Sequence, residues 1–189
     1  MKVKILYCFV YLIIVALFTS CNKQKANPIA TVNNYFEART QGNFNALKKQ
    51  VSDSITLISG DFIMPYSRES LYQQYKWDSV FQSKYNILKA VETNEKVIAT
   101  VSQNCIRNAF LENNPLVYQL EISFKNGKIE KIKDLDYIDV NWNIWTSKKD
   151  SLVNWVAKNH PKLDGFVNDM SMMGAINYVK AIELYQKKN

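Results

Sequence analysis

A chain of 189 residues, 47% apolar and 22% charged with only 5 Gly and 4 Pro, has the length of one domain plus an appendage, and its composition excludes disordered, collagenous and low-complexity classes. Aromatic residues make up 13%, enough bulky side chains to fill a core or wall a pocket. The formal charge of +7 is spread along the chain without an Arg-rich block, which argues against nucleic acid as a partner.

Lys2 and Lys4 precede a run from Ile5 to Phe18 that is apolar or aromatic throughout, and the small residues Thr19 and Ser20 follow. That pattern predicts a secretory signal over residues 1–20, because the run is shorter than the roughly 20 residues that span a bilayer. Phe18-Thr19-Ser20-Cys21 resembles the bacterial lipobox, with Phe18 where Leu is usual. The resemblance implies that Cys21 becomes the first mature residue and carries lipid, with residues 21–28 as a tether. No acidic residue directly follows Cys21, so the expected address is the outer membrane, with the domain facing the periplasm. Removing Lys2 and Lys4 takes the 24 basic residues to 22 against 17 acids, a mature excess of +5. Cys8 would leave with the signal and Cys21 would be acylated, so no intramolecular disulfide is expected. The remaining Cys105 reads as a buried thiol in an extended stretch.

From Pro28 to about Gln50, Ile29, Val32, Tyr35, Phe36, Phe44 and Leu47 recur at helical spacing, and Gly42 divides them into two helices, the second capped by Asn43. A short strand is expected near Ile55 to Ile58, followed by a Gly60-Asp61 turn. Ser67, with Ser70 three positions on, opens a third helix that carries Leu71, Tyr72, Tyr75 and Trp77. The period then changes to two, which predicts strands over Lys84–Glu92, Val97–Phe110, Leu116–Phe124 and Lys128–Asp136 joined as an antiparallel meander. The links at 93–96 and 125–128 have hairpin chemistry, Asn126-Gly127 supplying positive φ angles in the second. On the third of these strands Leu116, Tyr118, Leu120, Ile122 and Phe124 share an inner face, and Val117, Gln119, Glu121 and Ser123 share the outer one.

This order of elements, with Val32-Asn-Asn-Tyr35-Phe36-Glu-Ala-Arg-Thr-Gln-Gly42-Asn43-Phe44-Asn-Ala-Leu47 at its start and Phe124-Lys-Asn-Gly127-Lys128-Ile129 at its last hairpin, resembles the nuclear transport factor 2-like superfamily and its SnoaL-like members. The resemblance implies an α+β cone over residues 29–138, in which a curved antiparallel sheet wraps the N-terminal helices around a pocket. Ketosteroid isomerases of this superfamily combine an Asp base with an oxyanion hole of Tyr and protonated Asp. Tyr35 falls at the oxyanion tyrosine. The base position falls on Ser59 and the protonated carboxyl on Leu120, so neither carboxylate role is filled. Asp61 reads as a turn residue and Asp134 with Asp136 as a solvated pair.

The single histidine, His160, precedes Pro161 and reads as a helix cap, and one histidine does not make a metal site. No P-loop, dinucleotide fingerprint, G-x-S-x-G or C-x-x-C motif occurs, so no metal or cofactor and no catalytic residue is assigned. Over 139–189 two further helices are expected to pack on the domain. Trp142 and Trp145 lead into one from Ser147 that carries Leu152, Trp155 and Val156, and a longer one runs from Leu163 to Tyr185. Met170, Met172 and Met173 with Ile176, Val179 and Ile182 give it a second apolar edge suited to another copy of the chain. The leading expectation is a lipid-anchored binding module, non-catalytic, with a small apolar ligand against Tyr35, Tyr72, Trp77 and Tyr118. Arg107 is the cation nearest the rim. The alternatives are an interaction scaffold with a filled cone and a SnoaL-like lyase or isomerase, which a cavity above about 300 Å³ with convergent polar groups would help to separate.

Overall fold

The computed structural model describes residues 27–187, so the signal segment, Cys21 and most of the tether lie outside the described residues. Helix α1, Pro28–Thr40, is capped by the Asn27 side chain, and α2, Phe44–Gln50, by Asn43, which accepts from the Ala46 amide. Gly42 between them sits at φ 69°, a conformation that needs no side-chain compromise from glycine. Strands β1, Val51–Ser59, and β2, Phe62–Ser67, form a hairpin, and α3, Arg68–Val80, starts at its Ser67 cap. Then follow β3, Lys84–Thr93; β4, Lys96–Asn104; α4, Ile106–Phe110; β5, Leu116–Lys125; and β6, Lys128–Ile138. Helix α5, Trp142–Asn159, a 3-10 turn at Pro161–Leu163, and α6, Met172–Gln186, complete the chain.

The sheet is a single curved one of six strands in the order β2-β1-β6-β5-β4-β3, not closed into a barrel. Its core matches the alternation read from β5: Leu120 and Ile122 meet Val97, Ala99 and Val101 of β4, Ile129 and Ile132 of β6, and Val32, Tyr35 and Phe36 of α1. Residues 94–95 and 126–127 take positive φ in the two hairpins, as their sequences require. A second apolar cluster joins Trp77 and Phe81, at the end of α3, to Leu152 and Val156 of α5 and Tyr178, Ala181 and Ile182 of α6.

Five expectations are corrected. The short strand near Ile55–Ile58 is nine residues long and pairs with β2, whose Pro65 sits opposite Thr56 on the sheet edge, where a missing N–H is tolerated. The antiparallel meander β3 to β6 forms as expected, but β1 runs parallel to β6, so the sheet as a whole is mixed rather than antiparallel throughout. The strand Val97–Phe110 stops at Asn104, because the Cys105 sulfur accepts the Asn108 amide and caps a helix there; Cys105 is buried as a cap rather than as a strand residue. The long helix from Leu163 begins only at Met172, capped by Ser171, and Phe166 enters the second core from a turn. Helix α5 likewise starts earlier than Ser147, at Trp142 behind its Asn141 cap. Met170, Met172, Met173 and Ile176 are exposed. No helix among the described residues is long and apolar enough to cross a membrane.

Candidate functional site

Between α1, α3 and the inner face of the sheet lies a cavity of about 220 Å³. That is below the roughly 300 Å³ set above to tell a ligand-holding cone from a filled one, so any ligand here is smaller than those of a typical drug-sized site. Tyr35 and Arg39 of α1 stand on one side, Trp77 and Asp78 of α3 on another, and Tyr118 of β5 and Asp134 of β6 on the sheet. Tyr35, Trp77, Arg107 and Tyr118 are thus brought together. Tyr72 is not. It is 41% exposed and stacks on the outside of α3 against Phe44 and Tyr75, because it lies on the opposite helix face from Trp77.

Sequence reasoning missed the ion pair at the heart of this site. The Arg39 Nη2 lies 3.0 Å from the Asp78 Oδ2, both side chains about nine-tenths buried, and Arg39 Nη1 donates to the Tyr35 hydroxyl at 2.9 Å. Asp78 also accepts from the Tyr85 hydroxyl at 2.8 Å and the Ser83 hydroxyl at 3.1 Å, and Gln103 donates to both of these donors. The carboxylate is therefore saturated, as a buried charge must be to persist. Burial works against the Arg39 cation, yet the surrounding Tyr85, Tyr35 and Asp78 groups outweigh it and hold it above its already high ordinary value. Burial likewise pushes the Tyr85 phenol well up, Arg39 opposing and Asp78 adding to the rise. Asp78 ends one element and Arg39 another, separated by a hairpin and a helix, so no local spacing signals the pair.

The missed carboxylate is Asp134. In the parallel register Ile58 faces Lys133, which sets Ser59 beside Asp134, and across the antiparallel ladder Leu120 faces Asp134. The two positions that lack a carboxylate therefore flank one. A bulge between Gln119 and Leu120 makes Gln119 face Asp136, so Asp134 and Asp136 part company: Asp134 lines the cavity while Asp136 is exposed. The expected solvated pair is overturned by that extra residue, which shifts the alternation. Ser59 donates to the Asp134 Oδ2 at 2.7 Å and Tyr137 donates to the same oxygen at 2.9 Å. Burial, with Asp134 second, pushes the Tyr137 phenol up to about 12. Burial also raises the Tyr118 phenol, whose hydroxyl makes no hydrogen bond among the described residues.

Arg107 reaches the cavity from α4 and not from a strand, with its guanidinium 5.1 Å from the Trp77 ring and 5.2 Å from the Phe81 ring. Phe81 in turn meets Tyr178 of α6 edge-on at 5.6 Å. The C-terminal helices thereby stand directly behind the cation. Arg39 Nε, Gln74 Oε1 and Arg107 Nε are buried without a hydrogen-bond partner, and all three residues line this cavity. Such unpaired polar atoms are rare in folded chains and each calls for an explanation; the others among the described residues, Arg68 Nε, Asn108 Nδ2 and Ser123 Oγ, lie away from this cavity. Burial raises the Cys105 thiol, which keeps it in its unreactive form beneath α4. Among the described residues no group of three His, Cys, Asp or Glu side chains could hold a metal ion.

Solved structures similar to this chain share its fold. They include IdmH of Streptomyces antibioticus, a candidate polyketide cyclase, at 14% identity and TM-score 0.50, covering 66% of this chain and 99% of that one. A protein from Kribbella flavida matches at 11% identity and TM-score 0.50, over 65% of this chain and 95% of its own. A nuclear transport factor 2-like protein of unknown function from Cytophaga hutchinsonii matches at 16% identity and TM-score 0.49, over 61% and 94%. No family model and no curated protein matches the chain. At these identities the likeness establishes the nuclear transport factor 2-like fold alone.

Proposed function

We propose that this chain is a binding module of the bacterial cell envelope, lipid-anchored through Cys21 at the periplasmic face of the outer membrane, whose cone holds a small molecule without transforming it. The observation that carries the reading is the cavity in which unpartnered buried polar atoms of Arg39, Gln74 and Arg107 converge on aromatic walls. The expected apolar ligand is modified accordingly, since Arg107 and Asp134 in the lining favour a ligand whose flat body carries polar groups. Native mass spectrometry of the chain purified from its host tests this. A co-purifying small molecule that leaves on denaturation is the expected result, and a bare polypeptide mass in repeated preparations would count against it. Cys21→Ala should abolish fatty-acid labelling and membrane association, and retained label would refute the anchor.

A second reading, a lyase or isomerase, is favoured by one observation: the Asp134 carboxylate hydrogen-bonded to Ser59 inside the cavity. A carboxylate so placed could act as a proton acceptor. Turnover of a co-purified ligand by the parent, lost in Asp134→Asn with binding retained, would select this reading over the first.

A further inference from the structure

Four formal charges line the cavity, and they are not equally satisfied. Arg39 and Asp78 neutralise one another in the buried pair. Asp134 receives two hydroxyl donors, both on Oδ2, and its Oδ1 has no hydrogen bond among the described residues. The Arg107 guanidinium has neither a carboxylate within ion-pair distance nor a hydrogen bond among the described residues, although its Nε is buried. Its charge nonetheless reaches into the site, since it opposes the rise of the Tyr137 phenol.

A guanidinium held against aromatic faces keeps its in-plane N–H groups directed outward, and those groups match a carboxylate in bidentate fashion. Trp77, buried at 9% exposure, and Phe81, at 1%, hold the cation between two rings, and Tyr178 braces Phe81 from behind. The cation is therefore positioned before a ligand arrives, with less ordering left to complete on binding. Asp134, by contrast, offers an open acceptor on the sheet side of the same cavity, which a hydroxyl donor would complete. A dianion such as a phosphate monoester would bring a second negative charge into the space that Asp134 already occupies, whereas a monoanion balances Arg107 alone. The volume of about 220 Å³ matches a body of about one substituted ring better than a lipid or a nucleotide.

Resting on the reading of the cone as a small-molecule site, we propose that its ligand is a small organic carboxylate with a flat body and a hydroxyl group, the carboxylate held by Arg107 and the hydroxyl received by Asp134. The probes are 4-hydroxybenzoate, its neutral counterpart 4-hydroxybenzamide, and benzoate, titrated calorimetrically into the full-length chain. The parent should bind 4-hydroxybenzoate about tenfold or more tightly than the amide, as a charge-assisted pair implies, and more tightly than benzoate. Arg107→Gln should abolish the preference for acid over amide, Arg107→Lys should retain part of it, and Asp134→Asn should abolish the preference for the hydroxylated acid. The melting temperature of each variant separates loss of fold from loss of recognition. Equal affinity of the parent for acid and amide would overturn the carboxylate assignment while leaving the small-molecule site standing. Failure of every probe to bind at millimolar concentration would overturn both.

Discussion

Replacing Asp78 by Ala leaves the Arg39 guanidinium about nine-tenths buried with no opposite charge, and strips the Tyr85 and Ser83 hydroxyls of their shared acceptor. Breaking one side of a buried pair costs about 3–5 kcal/mol, because the surviving charge keeps its desolvation penalty and loses its compensation. Against a folding stability of roughly 5–15 kcal/mol that is a large fraction, and for a chain of this size about 4 kcal/mol corresponds to a fall of about 8–16 °C in melting temperature. Urea unfolding followed by tryptophan fluorescence measures it, with Trp77 next to the site as a reporter. The companion variant Arg39→Met/Asp78→Leu removes both charges, and it should recover a substantial part of the loss, since an apolar pair needs no partner. A loss below about 1 kcal/mol for Asp78→Ala, the value of a solvent-exposed pair, would refute the buried-network argument. So would a double variant less stable than Asp78→Ala by the full cost of Arg39→Met alone, because the two sites would then be uncoupled.

Leu152→Ala, at a side chain with 0% exposure in the second core, should cost about 2–5 kcal/mol in the same denaturation assay; an undocked extension would give no change. Gly174→Ala should destabilise by about 1–3 kcal/mol despite alanine's higher helix propensity, because the added methyl group overlaps the Asp169 carbonyl oxygen, and an equal or higher melting temperature would contradict that packing. Folded Tyr137 keeps its proton to about pH 12 against an ordinary value of 10, so the folded state binds more protons than the unfolded one in that window. Stability should be intact below about pH 10 and be lost as pH rises towards 12, and Tyr137→Phe should shallow that alkaline limb in urea midpoints measured across it.

The elements that were legible are those whose signal is local. Gly42 and Asn43 divide α1 from α2 through a backbone preference and a cap, and the alternation through Leu120 and Ile122 places the inner face of β5 correctly. What escaped depends on neighbours distant in sequence. Strand β2 contains Pro65 and reads as a breaker until β1 is known to lie on one side only. Asp134 faces inward through a bulge that the alternation of β6 by itself does not reveal. Helix α4 hides because Cys105 is an uncommon cap, yet the three positions from Asn104 through Ile106 mark the change of period. Arg107 lines the cavity from α4, a helix that a period-two reading of residues 97–110 conceals. Tyr72 and Trp77, five residues apart on one helix, were placed together although a helix turns them to different faces.

Helix α3 forms a wall of both hydrophobic clusters: Leu71 and Tyr75 belong to the core inside the sheet, and Trp77 and Phe81 to the core with α5 and α6. A party wall of this kind ties the fates of the rooms on either side. Peeling the C-terminal helices away would bare Trp77 and Phe81 and loosen the end of α3 that carries Asp78, so the buried pair between α1 and α3 would lose part of its scaffold at the same moment. The added helices and the cone are accordingly expected to unfold in one transition, with Trp77 and Phe81 carrying the effect of a substitution on α6 towards the cavity.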